Sequence, residues 1–174
     1  MQTRDRFICF AVLAVPLVVV IVVVATYVRT MTTVHVDEGT AENVGSLSEP
    51  FTLSGSLPSA ATDIRFCEAS VGLAGYLLIY RFSAPLYELH AHAAREFEAH
   101  WGGLTAIRTT NSPPLITVQR TQLIRNAYGV DARWLLPPCA ASGTLYVSAD
   151  GGGGSRPHIF VDEANATLYF DMSD

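Results

Sequence analysis

The chain contains no lysine; all eleven of its basic residues are arginine. That absence excludes a phosphate-loop lysine, a Schiff base to a carbonyl or pyridoxal cofactor, and Ser-Lys hydrolysis, each of which needs a primary amine. Also missing are G-x-S-x-G, H-E-x-x-H, C-x-x-C and a G-x-G-x-x-G lying between a strand and a helix. No nucleophile elbow, metalloprotease helix, dithiol redox pair or dinucleotide turn can therefore be assigned. Positive charge is scarce as well. Three of the eleven arginines and one of the sixteen acids lie in residues 1–29, so the remainder carries eight against fifteen, a formal charge of −7. Such a surface repels phosphate backbones, and no basic cluster interleaved with aromatics offsets it, so nucleic acid is not an expected partner.

Charge is absent altogether from residues 7–28, FICFAVLAVPLVVVIVVVATYV. As a helix these residues span about 33 Å, close to the thickness of a bilayer's hydrocarbon core. In lipid a helix is the one single-segment structure that satisfies every backbone group, so Val and Ile are no obstacle to it there. A cleaved secretory signal would have a shorter apolar core followed by small residues, whereas this run ends Ala25-Thr26-Tyr27-Val28-Arg29. A retained transmembrane anchor is expected. Arg4 and Arg6 precede it and Arg29 follows, so the positive-inside rule favours a cytoplasmic N-terminus (1–6) and an exported C-terminal part in the cell membrane. The lipid bilayer is then one partner, and another envelope protein is the expected second.

Only three cysteines occur. Cys9 falls in the apolar run. Cys67 and Cys139 fall beyond it, where an oxidising compartment would permit one disulfide; the alternative is two buried thiols.

The 174 residues leave room for one domain beyond the anchor. Residues 29–49 are polar and lack helical periodicity, which suggests a stalk or a first loose strand, with His35, Asp37 and Glu38 as solvated spacer residues. From residue 50 onward the pattern is α+β. Asp63–Ser70 and Tyr76–Ser83 read as a hairpin, the second strand apolar enough to be central. Pro85 opens a helix in which Leu86, Leu89, Ala93, Phe97 and Trp101 form the core stripe and Gly102-Gly103 the stop. Thr117 caps a second helix, Val118–Tyr128, that Gly129 ends and that offers Leu123, Ile124, Ala127 and Tyr128 as contacts. Arg133–Pro138 reads as extended, with Trp134 as its core anchor. Thr144–Ala149, His158–Asp162 and Thr167–Met172 form a closing meander, and Asp150–Ser155 is a glycine-rich hairpin loop, not a phosphate cradle, because a strand and not a helix follows it. The expected fold is an N-terminal transmembrane helix followed by a small, mostly antiparallel sheet, with one or two helices on one face and the other face solvated or used for interaction.

The first helix also carries Glu88, His92, Glu96 and His100 at four-residue spacing, on the side expected to face away from the core. His92, Glu96 and His100 are competent zinc ligands, and His158 from the sheet would complete a set. The stripe drifts about 40° per step, so all four cannot meet on one ion. A solvated Glu/His face is the plainer reading; His90, beside the core stripe, is expected to be a half-covered packing residue. Two functions follow: a membrane-anchored, non-catalytic binding or assembly module, or a metal-binding or metal-assisted hydrolytic domain built on this helix.

Overall fold

The computed structural model describes residues 16–30, 33–47, 57–72, 75–100, 104–110, 117–138, 142–148 and 157–173, with the backbone alone for His100, 104–110, Ser148 and Ser173. Residues 16–30 are helical (α1) and bare of cover from the rest of the chain. Among the described residues no helix is long and apolar enough to cross a membrane; residues 7–15 of the expected anchor lie outside them. Thr33 then donates to the Arg29 carbonyl through its backbone N–H (3.0 Å) and its hydroxyl (2.7 Å), and β1 begins at the next residue.

The domain is α+β, built on one seven-stranded antiparallel sheet. Its strands are β1 (Val34–Asn43), β2 (Thr62–Val71), β3 (Gly75–Ser83), β4 (Leu104–Thr110), β5 (Gly143–Ser148), β6 (His158–Asp162) and β7 (Thr167–Ser173), in the spatial order β1-β2-β3-β7-β6-β5-β4. The β2–β3 hairpin and the β5–β6–β7 meander are the expected local pairings, and they join where β3 meets β7. The stretch 29–49 contains a strand: β1 pairs with β2 from Val34 opposite Val71 to Asn43 opposite Thr62. β4 was not among the expected elements, although its sequence, LTAIRTT, is β-branched enough to signal a strand.

β3 explains why both sheet faces are covered. Leu77, Leu78, Ile79 and Tyr80 are all buried, which a strand with one wet face does not allow. Leu78, Tyr80 and Phe82 meet Leu168, Phe170, Ile159 and Val161 beneath Leu89, Ala93 and Phe97 of α2 (Leu86–His100). Leu77 and Ile79 meet Cys67, Ala69, Phe160 and Tyr169 beneath Ile124 of α3 (Val118–Tyr128) and Ala132 and Leu135 of a 3₁₀ turn, η1 (Ala132–Leu135). Helical cover therefore lies on both faces, not on one.

α3 has the boundaries expected of it. The Thr117 hydroxyl accepts from Arg120 N–H, and Gly129, at φ 77°, returns its own N–H to the Arg125 carbonyl. Its contacts are fewer than expected: Ile124 is buried, whereas Leu123 and Ala127 are exposed. Arg133–Pro138 is not extended throughout. It opens with η1, whose buried residues are Ala132 and Leu135, while Trp134 is only half-buried. A 3₁₀ turn places residues three apart on the same side, which is why Ala132 and Leu135 point inward together.

Two arginines hold the second layer to the sheet. Arg120 of α3 donates to both Asp171 oxygens on β7, at 3.0 and 2.9 Å, and Asp171 is almost fully buried. Arg81 of β3 donates to Asp63 at 2.8 Å and to the Trp134 carbonyl at 3.2 Å. On β5, one strand in from the far edge, a Cβ on Gly143 would collide with the Val161 carbonyl oxygen. Gly143→Ala is therefore expected to destabilise the domain by about 3 kcal/mol, because backbone and not a movable side chain must yield; urea denaturation of the purified protein measures it.

Candidate functional site

The two middle members of the Glu/His stripe of α2 are not solvated. His92 is fully buried and Glu96 nearly so. The reason is angular: His92 lies about 60° from Leu89, and Glu96 about 60° from Ala93, so a wide buried face takes in both. Tyr80 Oη lies 3.2 Å from His92 Nε2, and the imidazole stands edge-on to Phe82 with ring centres 5.2 Å apart. Burial, and then the Glu96 carboxylate, push the Tyr80 hydroxyl well above its usual range. This is a polar group within the α2-side core.

The remaining candidate ligands do not gather around it. Glu88 is held by Tyr87 at the surface. The His100 side chain lies outside the described residues. His158 neighbours Phe160 on β6 by alternation and sits opposite Asp171, whose partner is Arg120, so it belongs to the α3 side of the sheet, across from His92. Among the described residues no three His, Cys, Asp or Glu side chains are grouped to hold a metal ion. His90 is half-covered, as expected, with Nδ1 2.6 Å from Tyr146 Oη.

Cys67 is a free, fully buried thiol on β2, and Cys139 lies outside the described residues. Burial, and after it Glu38, Asp37 and Glu68, push the Cys67 thiol up to about 12. Tyr76, which donates to Glu68 at 3.1 Å, is likewise raised to about 12, first by burial and then by that carboxylate. In both cases burial is the larger cause and the carboxylates of the β1–β2 ladder add to it.

The same ladder borders two concavities. One, of about 490 Å³, lies between Glu38, Gly39, Thr40, Arg65 and Phe66 on the sheet and Gly129, Asp131 and Trp134 after α3. The other, of about 410 Å³, is lined by Thr40, Ala41, Glu42, Asp63, Ile64 and Arg65. Thr40 and Arg65 are common to both, so they form one trough along β1. Its second half is shaped by a local irregularity: the β2–β3 register shifts between Thr62 and Arg65, and Asp63 takes φ 46°. Arg65 reaches Asp63 at only 3.9 Å, and its buried Nε has no hydrogen-bond partner among the described residues. At the opposite rim, Arg133 forks onto Asp131 and lowers that carboxyl to about 2.

No family model, curated protein or solved structure matches this chain. The trough was not among the sequence candidates. It joins residues from 38–42, 63–66 and 129–134, of types that form no motif; Gly129 and Trp134 were expected as a helix stop and a core anchor, and 37–38 as an acidic spacer.

Three measurements test these placements. Tyr80→Phe removes one partner of His92 and is expected to cost about 1 kcal/mol in urea denaturation. In a C9S/C139S background, Cys67 is expected to resist alkylation at pH 8 until the protein is unfolded. Because its folded pKa lies above its unfolded value, the folded state keeps a proton that the unfolded state releases, and stability falls as pH rises from about 9 to 12. Cys67→Ala should make that fall shallower.

Proposed function

We propose that this protein is anchored in the cell membrane by residues 7–28, N-terminus in the cytoplasm, and that its exported domain is a non-catalytic binding or assembly module. The observation that carries this reading is the trough along β1. It offers recognition groups, namely carboxylates, a guanidinium, a hydroxyl, an indole and the main chain of an outer strand, in a shallow open form. Shallow polar clefts beside a sheet edge suit a macromolecular partner better than a small substrate, which is bound in enclosed, mostly apolar pockets. Support for the anchor comes from the uncharged 22-residue run and from the helicity and exposure of residues 16–30, which include Leu17, Ile21 and seven valines.

A metal-dependent hydrolase draws no comparable support. His92 and Glu96 lie in the core, and hydrolysis requires a path for water to the ion.

The test is fractionation of cells expressing the full chain with a C-terminal tag. The protein is expected to stay with membranes through alkaline carbonate, to be degraded from outside by protease in intact cells with the outer barrier opened, and to be released when residues 7–28 are deleted. Carbonate extraction of the full chain, or protection of the tag from external protease, would overturn the anchor or its orientation.

A further inference from the structure

Resting on the reading of the domain as a binding module, we propose that β1 receives an extended, basic segment of a partner polypeptide as an added outer strand, with alternate side chains entering the trough. β1 is ten residues long and is the terminal strand of the sheet, its outer side unpaired among the described residues. Exposed edges of that length are usually blunted by proline, charged side chains or a bulge, because their free N–H and C=O groups recruit other strands; the charges on β1 are all negative, which leaves the edge open to a strand of the opposite sign. β1 contains neither proline nor lysine, its register with β2 is regular from Val34 to Ala41, and Val34 and Val36 are exposed at 39% and 44%.

Charge selects the occupant. Asp37 and Glu38 occupy adjacent positions and so face opposite sides of the sheet, with Glu42 further along and Glu68 behind Asp37 on β2. An antiparallel second copy is disfavoured, because a register centred between Asp37 and Glu38 sets the acids directly opposite each other and one centred on the middle of β1 still leaves Glu38 of each copy diagonal to Asp37 of the other, and like charges across a ladder are repulsive. A strand with basic residues at two neighbouring positions meets one acid on each face. On the α3 side, its side chains run over Glu38 and Thr40 toward Arg65 and Trp134, which line that trough as a guanidinium and an apolar wall. Main-chain pairing then supplies affinity and the acids supply selection.

The experiment uses the full chain in lipid nanodiscs and three synthetic decapeptides of one β-forming Val/Thr frame. The first carries two adjacent arginines at its centre, the second two glutamates there, and the third the arginines with a proline beside them. The arginine peptide is expected to bind and to slow amide hydrogen exchange along β1. Asp37→Asn and Glu38→Gln should each weaken it roughly two- to five-fold, the range of an exposed ion pair, and the glutamate and proline peptides should fail. Equal binding of the glutamate peptide, or binding of the arginine peptide without slowed exchange in β1, would overturn the proposal and leave the binding-module reading standing. If no peptide binds, photo-crosslinking from Val36 and from Gln122 on α3 in native membranes separates the two ideas. Adducts from Gln122 alone eliminate the edge, an Arg-bearing adduct peptide at Val36 restores it, and no adduct at either position counts against both.

Discussion

β3 carries apolar side chains on both of its faces, and most of the architecture follows from the need to keep water from each. Tyr80 and Phe82 require a layer on one side, Leu77 and Ile79 a layer on the other. β7 shares the requirement, with Phe170 stacked on Tyr80 at 4.5 Å and Tyr169 facing the opposite way. A central pair of this kind cannot stand at a sheet edge, so the two meanders must join there and their polar strands must become the margins. β1 is outermost because its alternation buries little on either face.

The two layers are fastened differently. α2 lies on its face through apolar contact, with the His92–Tyr80 pair enclosed within it. α3 buries few side chains, and its attachment relies on the forked Arg120–Asp171 pair and on Arg81, which ties the 3₁₀ turn to β3 through the Trp134 carbonyl. A forked, charge-assisted pair fixes direction as well as distance. This places the Gly129–Trp134 wall of the trough at a set position over the outer strands.

Much of the fold was legible because periodicity and punctuation agree in this chain. Thr117 and Gly129 mark α3 by mechanism, and the β2–β3 and β6–β7 hairpins lie between recognisable turns. The failures have physical causes. The unbroken runs Leu77–Tyr80 and Ile159–Val161 signal burial on two faces, but they were read with one face in mind. The Glu/His stripe was set opposite the core, although four-residue steps keep it beside the Leu89–Ala93–Phe97 row, within the arc that a sheet covers. β1 passed for a spacer because an edge strand needs no hydrophobic alternation. The trough is a product of tertiary assembly: Thr40, Arg65 and Asp131 acquire meaning only when β1, the irregular β2 and the end of α3 are brought together.

Thr33 ties the end of α1 to the start of the sheet by hydrogen bonds. Its nitrogen and hydroxyl hold the last turn of the helix, its carbonyl accepts from Gly72 N–H at 3.2 Å at the end of the β2 hairpin, and β1 starts one residue later. A joint fastened at three points transmits torque. Hydrogen bonds on both sides of Thr33 couple the last turn of α1 to the first residue of β1, so the edge proposed for binding would take its heading from the azimuth of the helix.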